Sequence, residues 1–159
     1  MVDMSAAMES FQGALDQKII SPIRGELDHD LHVLQDIAGG LVRMTYVYIA
    51  NSRVTAFASI AQCDPIDGIP CFQIGYAVAE DHRGKGLAKK ITAAAMEEFS
   101  NGITRNGAEN YVIEAAVGID NEASLAVARA VIAETGTDAT DHNTGQPIKL
   151  FHKNYGSAG

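Results

Sequence analysis

An α/β domain with a mixed, mostly antiparallel sheet flanked by helices is the fold class that this sequence predicts, and three observations predict it. Apolar residues recur at helical spacing through the first forty positions. Runs rich in β-branched and aromatic residues follow, parted by turn formers. From Leu87 the helical period returns and alternates with strand-like runs. The chain has 159 residues, 47% hydrophobic and 20% charged, which is enough for one core and ordinary for a single globular domain spanning 1–159.

The elements follow in order. Ser5 is placed to cap a first helix with Met8, Phe11, Leu15 and Ile19 on one face. Ser21 and Pro22 read as the cap and first-turn proline of a second helix. Its stripe is Ile23, Leu27, Leu31, Leu34 and Ile37, and Gly39 with Gly40 ends it. Residues 41–50 and 54–61, parted by Asn51 and Ser52, predict a hairpin. The turn-rich stretch 64–68 leads to a third strand at 72–79. Ile91, Ala94, Ala95 and Phe99 share one face of a helix running from Leu87 to Gly102. A strand at 111–117, a helix at 121–134 and a last strand at 148–151 complete the order, with a polar insertion at 138–145.

Charge and composition exclude several functions. Twelve Lys and Arg against twenty Asp and Glu give a net charge of −8, which argues against broad binding to nucleic acid or anionic lipid. No apolar run is long enough to span a bilayer, and Asp3, Glu9 and Asp16 fall where a secretion signal would be basic and then apolar. A cytoplasmic location and no membrane partner are therefore expected. Cys63 and Cys71 flank a turn and read as reduced thiols. His29 and His32 sit beside Asp28 and Asp30 on a solvated face, and Asp64 and Asp67 read as turn formers, so no metal is expected.

The chemistry concentrates between the third strand and the helix after it, at Val78-Ala79-Glu80-Asp81-His82-Arg83-Gly84-Lys85-Gly86-Leu87-Ala88. Two glycines let the backbone turn tightly and come close to a ligand, and the free N–H groups of a helix start favour an anion such as phosphate. Arg83, Lys85, Lys89 and Lys90 place four of the twelve basic residues here, in an otherwise acidic chain. The plain alternative is a tight turn with a solvated basic face. The spacing matches neither a P-loop nor a dinucleotide fingerprint.

Arg83-Gly84-Lys85-Gly86-Leu87-Ala88 resembles the Gln/Arg-x-x-Gly-x-Gly/Ala motif with which GNAT N-acetyltransferases hold the pyrophosphate of acetyl-CoA. Ile74-Gly75-Tyr76-Ala77-Val78 resembles the strand that precedes that motif. Residues 113–117, followed by Asp120-Asn121-Glu122-Ala123-Ser124, are similar to the strand and Asn-x-x-Ser helix start of the branch containing ribosomal-protein N-terminal acetyltransferases. The resemblance covers roughly 73–132 and implies a GNAT-like fold with acetyl-CoA as co-substrate and an amine as acceptor. It implies that strands splay to admit the pantetheine arm, that the Val78 N–H faces the thioester oxygen, and that Asn121 and Ser124 contact the arm.

The reaction so implied is direct attack of a primary amine, from a small molecule, an amino acid or a protein N-terminus, on the thioester. Many members carry an acidic Tyr seven residues after the Asn, where this chain has Ala128. Ser124 through a water, or no acid at all, are the remaining options. Glu114 and His82 are the candidate bases, each with a plain alternative: an ion-paired carboxylate and an exposed loop residue. A non-catalytic acyl-CoA sensor is the other reading, and a homodimer is left open.

Overall fold

The computed structural model describes residues 4–156. Eight strands form one sheet in the order β1-β2-β3-β4-β5-β6-β8-β7. They are β1 (Ile23–Arg24), β2 (Leu31–Ala38), β3 (Leu41–Ala50), β4 (Arg53–Ile66), β5 (Ile69–Val78), β6 (Tyr111–Gly118), β7 (Thr137–Thr140) and β8 (Pro147–Tyr155). Every neighbouring pair is antiparallel except β5 and β6. Three helices, α1 (Met4–Asp16), α2 (Leu87–Arg105) and α3 (Glu122–Val131), cover the sheet.

Strand alternation builds two cores from this sheet. Tyr46, Tyr48, Ala58, Ile74, Tyr76, Ile113 and Val117 face α2 and α3, where Ile91, Ala95, Phe99 and Leu125 close over them. Val47, Val54 and Phe57 point the other way and receive Met8 and Phe11 of α1. The Gln12 side chain seals that side, because its Oε1 accepts from the Val54 amide at 2.6 Å and its Nε2 donates to the Ser52 carbonyl at 3.0 Å.

The expected second helix does not form: residues 23–38 are β1, a turn and β2. The stripe at 31, 34 and 37 is divided between the two faces of a strand. Leu31 and Val33 join the α2 core, Leu34 joins the α1 core, and Ile37 is exposed. Gly39 and Gly40 have φ of 58° and 81°, the left-handed pair of a two-residue hairpin turn that sets Ala38 against Leu41. At the other end, Asp28 accepts from the Asp30 amide at 3.0 Å and closes a tight turn.

Other boundaries shift without changing type. The turn expected over 64–68 narrows to Asp67 and Gly68, with φ of 51° and 79°, so β4 and β5 are longer. The polar insertion at 138–145 overlaps β7, which pairs with β8 from Thr137↔Leu150 to Thr140↔Pro147. The helix expected over 121–134 ends at Val131.

Candidate functional site

The one parallel pairing in the sheet is short. β5 meets β6 only at Cys71↔Val112, Phe72↔Ile113 and Gln73↔Glu114. Beyond that point β5 stays with β4 and β6 stays with β8, so the two strands part. The Ala79 amide donates to the Thr55 carbonyl across β4 at 2.9 Å. By strand alternation the amides of Ile74, Tyr76 and Val78 then face the gap, where β6 offers no partner. The Val78 N–H thus faces the opening between β5 and β6.

That gap is part of a cleft of about 690 Å³, lined by Tyr76 and Val78 on β5, by His82, Arg83, Gly84, Gly86, Leu87, Ala88 and Lys89, and by Asn121 and Ser124. A small-molecule site is typically of this size. Gly84 and Gly86 take φ of 78° and 77°, and a Cβ at either would meet nothing within 4 Å. Left-handed backbone, rather than crowding within the protein, is what requires glycine there. Gly86 caps α2 without a side-chain hydrogen bond, and the first intrahelical bond runs from the Lys90 amide to the Gly86 carbonyl at 3.1 Å. The N–H groups of Leu87, Ala88 and Lys89 therefore open toward the cleft as a cradle for an anion.

The basic residues divide. Arg83 is tied to β5 by its Nε, which donates to the Val78 carbonyl at 3.2 Å, and Lys89 lines the cleft. Lys85 is exposed outside the lining, and Lys90 turns to the Tyr48 ring, 4.9 Å from its centroid.

On the opposite wall, Asn121 caps α3 and its Oδ1 accepts from the Ser124 amide at 3.1 Å. The Tyr76 hydroxyl donates to the Ser124 carbonyl at 2.8 Å, bridging β5 to the first turn of α3, and burial pushes the Tyr76 pKa up. No sequence pattern signals this bridge between residues 48 positions apart. Met4 and Ser5 of α1 also line the cleft, so its wall includes residues from both faces of the sheet. Ala128 is fully buried in the core, where a Tyr acid would otherwise stand.

The candidate bases separate. His82 ends a 3₁₀ turn over Glu80–His82, lines the cleft, and has a buried Nδ1 without a hydrogen-bond partner. Glu114 lies outside the lining, at the closed end of the gap. Its oxygens accept from Gln73 Nε2 at 3.0 Å and meet His152 Nε2 at 2.7 Å. Glu114 thus has a His partner rather than the Lys or Arg of the plain alternative.

The profile of the acetyltransferase (GNAT) family matches residues 14–131, and the chain belongs to that family. Acetyl transfer is the reaction for which that family is named. Solved structures share the fold. A GNAT-family acetyltransferase from Streptococcus pneumoniae is 13% identical with a TM-score of 0.53, over 72% of this chain and 67% of its own. A ribosomal-protein-S5-alanine acetyltransferase from Vibrio fischeri is 15% identical with a TM-score of 0.54, over 71% and 61%. The protein yncA from Salmonella typhimurium, solved with acetyl-CoA, is 21% identical with a TM-score of 0.52, over 74% and 68%. This chain thus spans less than two thirds of the Vibrio protein. No curated protein matches.

Proposed function

We propose that this protein is an acetyl-CoA-dependent N-acetyltransferase acting in the cytoplasm, which moves the acetyl group directly to a primary amine of a small molecule, an amino acid or a protein N-terminus. One observation carries the reading: the left-handed glycine loop that opens α2 lies beside the unpaired edge of β5 in a single cleft. A pyrophosphate fits the N–H groups after Gly86, with Lys89 adding positive charge. The amides of Ile74, Tyr76 and Val78 suit the pantetheine arm, and Asn121 and Ser124 flank it. That Asn-x-x-Ser start also supports placing the chain near the ribosomal-protein N-terminal acetyltransferases.

Acetyl-CoA supplies an activated thioester, and the chain's own residues have three tasks. The Val78 amide stabilises negative charge on the thioester oxygen. Met4 and Ser5 line the cleft beside β5 and help form the wall against which the amine is held. His82 takes the amine proton, because among the side chains that line the cleft its imidazole is the group suited to general-base work.

A screen of amine acceptors that follows release of free thiol tests the proposal. Turnover with any primary amine supports it. Acetyl-CoA binding without turnover across small amines, amino acids and peptide N-termini refutes catalysis and leaves a binding module. His82→Gln is expected to lower kcat at least about tenfold with coenzyme affinity unchanged. An unaltered kcat removes His82 as the base.

A further inference from the structure

A second constellation lies away from the cleft. Cys63 on β4 and Cys71 on β5 are register partners, and two residues further along β5, Gln73 stands opposite Glu114 of β6. Alternation sends Cys71, Gln73 and Glu114 to the same side of the sheet, opposite the face on which Phe72, Ile74 and Ile113 meet α2. The two sulfurs and a Glu114 carboxylate oxygen lie within 4.8 Å of one another. Both cysteines are free thiols, Cys71 almost wholly buried and Cys63 partly so. The thiols hydrogen-bond each other, which lowers the pKa of Cys63 and raises that of Cys71. The carboxylate is held in place, with one oxygen on Gln73 and the other on His152.

We propose that Cys63, Cys71 and Glu114 form a binding site for one zinc-class divalent cation, ligated by the two sulfurs and one carboxylate oxygen. The donor set sets the class of ion. Two thiolates and a carboxylate suit a borderline-soft cation and are poor ligands for magnesium or calcium, which require mostly oxygen. Geometry agrees, because the sulfur-to-sulfur edge of a tetrahedral zinc site is about 3.8 Å for bonds of about 2.3 Å. The three donors lie within 4.8 Å of one another with no ion bound, close to that separation.

Binding releases both thiol protons to solvent, and the ion's two positive charges replace them beside the carboxylate. Gln73 and His152 then act as outer partners that orient Glu114. The ligands come from three adjacent strands across the short paired stretch of β5 and β6, with Cys71 at its first rung and Glu114 at its last, so the ion clamps the sheet beside the point where the gap begins. The Cys63 and Cys71 spacing has no zinc signature, which is why the sequence alone predicts no metal. Register in the sheet creates the site.

The test uses the full chain without an affinity tag, reduced and stripped of metal, titrated with Zn²⁺ by calorimetry and with Co²⁺ by absorption spectroscopy. One ion per chain is expected, with thiolate-to-cobalt charge transfer, tetrahedral d–d bands and a Tm that rises with zinc. Cys63→Ser is expected to weaken uptake at least about a hundredfold, since it removes a ligand, and Glu114→Gln at least about tenfold. Bound zinc also protects the partly exposed Cys63 thiol of the unsubstituted chain from iodoacetamide, a readout that needs no variant to fold. No uptake by the reduced chain, a cobalt spectrum without thiolate charge transfer, equal uptake by Cys63→Ser, or undiminished alkylation in zinc would each overturn the site.

Discussion

Replacing Gly86 by valine tests the coenzyme loop at its most exacting point. Gly86 has φ of 77°, and a Cβ there meets no protein atom within 4 Å outside its chain neighbours, so backbone strain is the folding penalty that the position itself imposes. Left-handed backbone costs an ordinary L-residue roughly 1–2 kcal/mol. At about 2–4 °C per kcal/mol for a chain of this size, the Tm should fall by about 2–8 °C. Binding suffers separately, because the branched side chain stands in front of the N–H groups of Leu87, Ala88 and Lys89. Loss of one hydrogen bond to a charged phosphate costs about 1.5–3 kcal/mol, or roughly ten- to a hundredfold in Kd. Gly86→Asn separates the two effects: asparagine tolerates left-handed backbone, so the Tm should hold while affinity still falls. Acetyl-CoA affinity is measured by calorimetry in low and high salt, and salt should weaken binding to the unsubstituted chain. Equal affinities for glycine, asparagine and valine at position 86 would refute the placement of the pyrophosphate.

At Asn121, Asp keeps the acceptor for the Ser124 amide but loses the amide donor and adds negative charge, so Asn121→Asp should hold its Tm while coenzyme affinity falls by about 1–3 kcal/mol. Unchanged affinity by calorimetry would leave Asn121 as a cap only. Tyr76→Phe should slow turnover less than about tenfold, because its hydroxyl serves the Ser124 carbonyl. The same holds for Tyr111→Phe and Tyr155→Phe, whose rings stack on each other at 4.7 Å; a thousandfold loss at any of the three would make that residue the acid. The Tyr48 hydroxyl donates to Asp28 at 2.7 Å and holds its carboxyl below the ordinary carboxylate range. A lowered native pKa adds stability that is complete above about pH 4 and disappears as pH falls through the native value. Tyr48→Phe should therefore lower the Tm at neutral pH, and the gap to the unsubstituted chain should narrow in acid; a gap independent of pH would remove the linkage.

Local pattern was enough for the first helix, the helix from Leu87 and the helix after the 111–117 strand, because each buries one side and so imposes a helical period, and for the 41–61 hairpin and the 111–117 strand, because their β-branched and aromatic runs are bounded by turn formers. The Gly84–Gly86 loop was legible for the same kind of reason: positive φ and open N–H groups are properties of a few consecutive residues. Between 23 and 38 the period misled, since Leu31 and Leu34 serve opposite faces of a strand and Ile37 is exposed, yet their spacing mimicked a helical stripe. The turn glycines at 39 and 40 end a helix or reverse a hairpin equally well, and only pairing with β3 decides between the two.

Long-range register decided the remainder. Separation of β5 from β6 after Gln73, the reach of Tyr76 to Ser124, the approach of Met4 and Ser5 to the cleft, and the contact of Glu114 with His152 join residues far apart in the chain. A sequence states which side chains can pair; which of them meet depends on strand order and on the point where pairing stops. Glu114 shows the difference. Its position in the sequence allows a catalytic base, whereas the sheet sets it at the closed end of the gap, between Gln73 and His152 and beside two thiols, because it lies on the last of the three parallel pairs that hold β5 against β6.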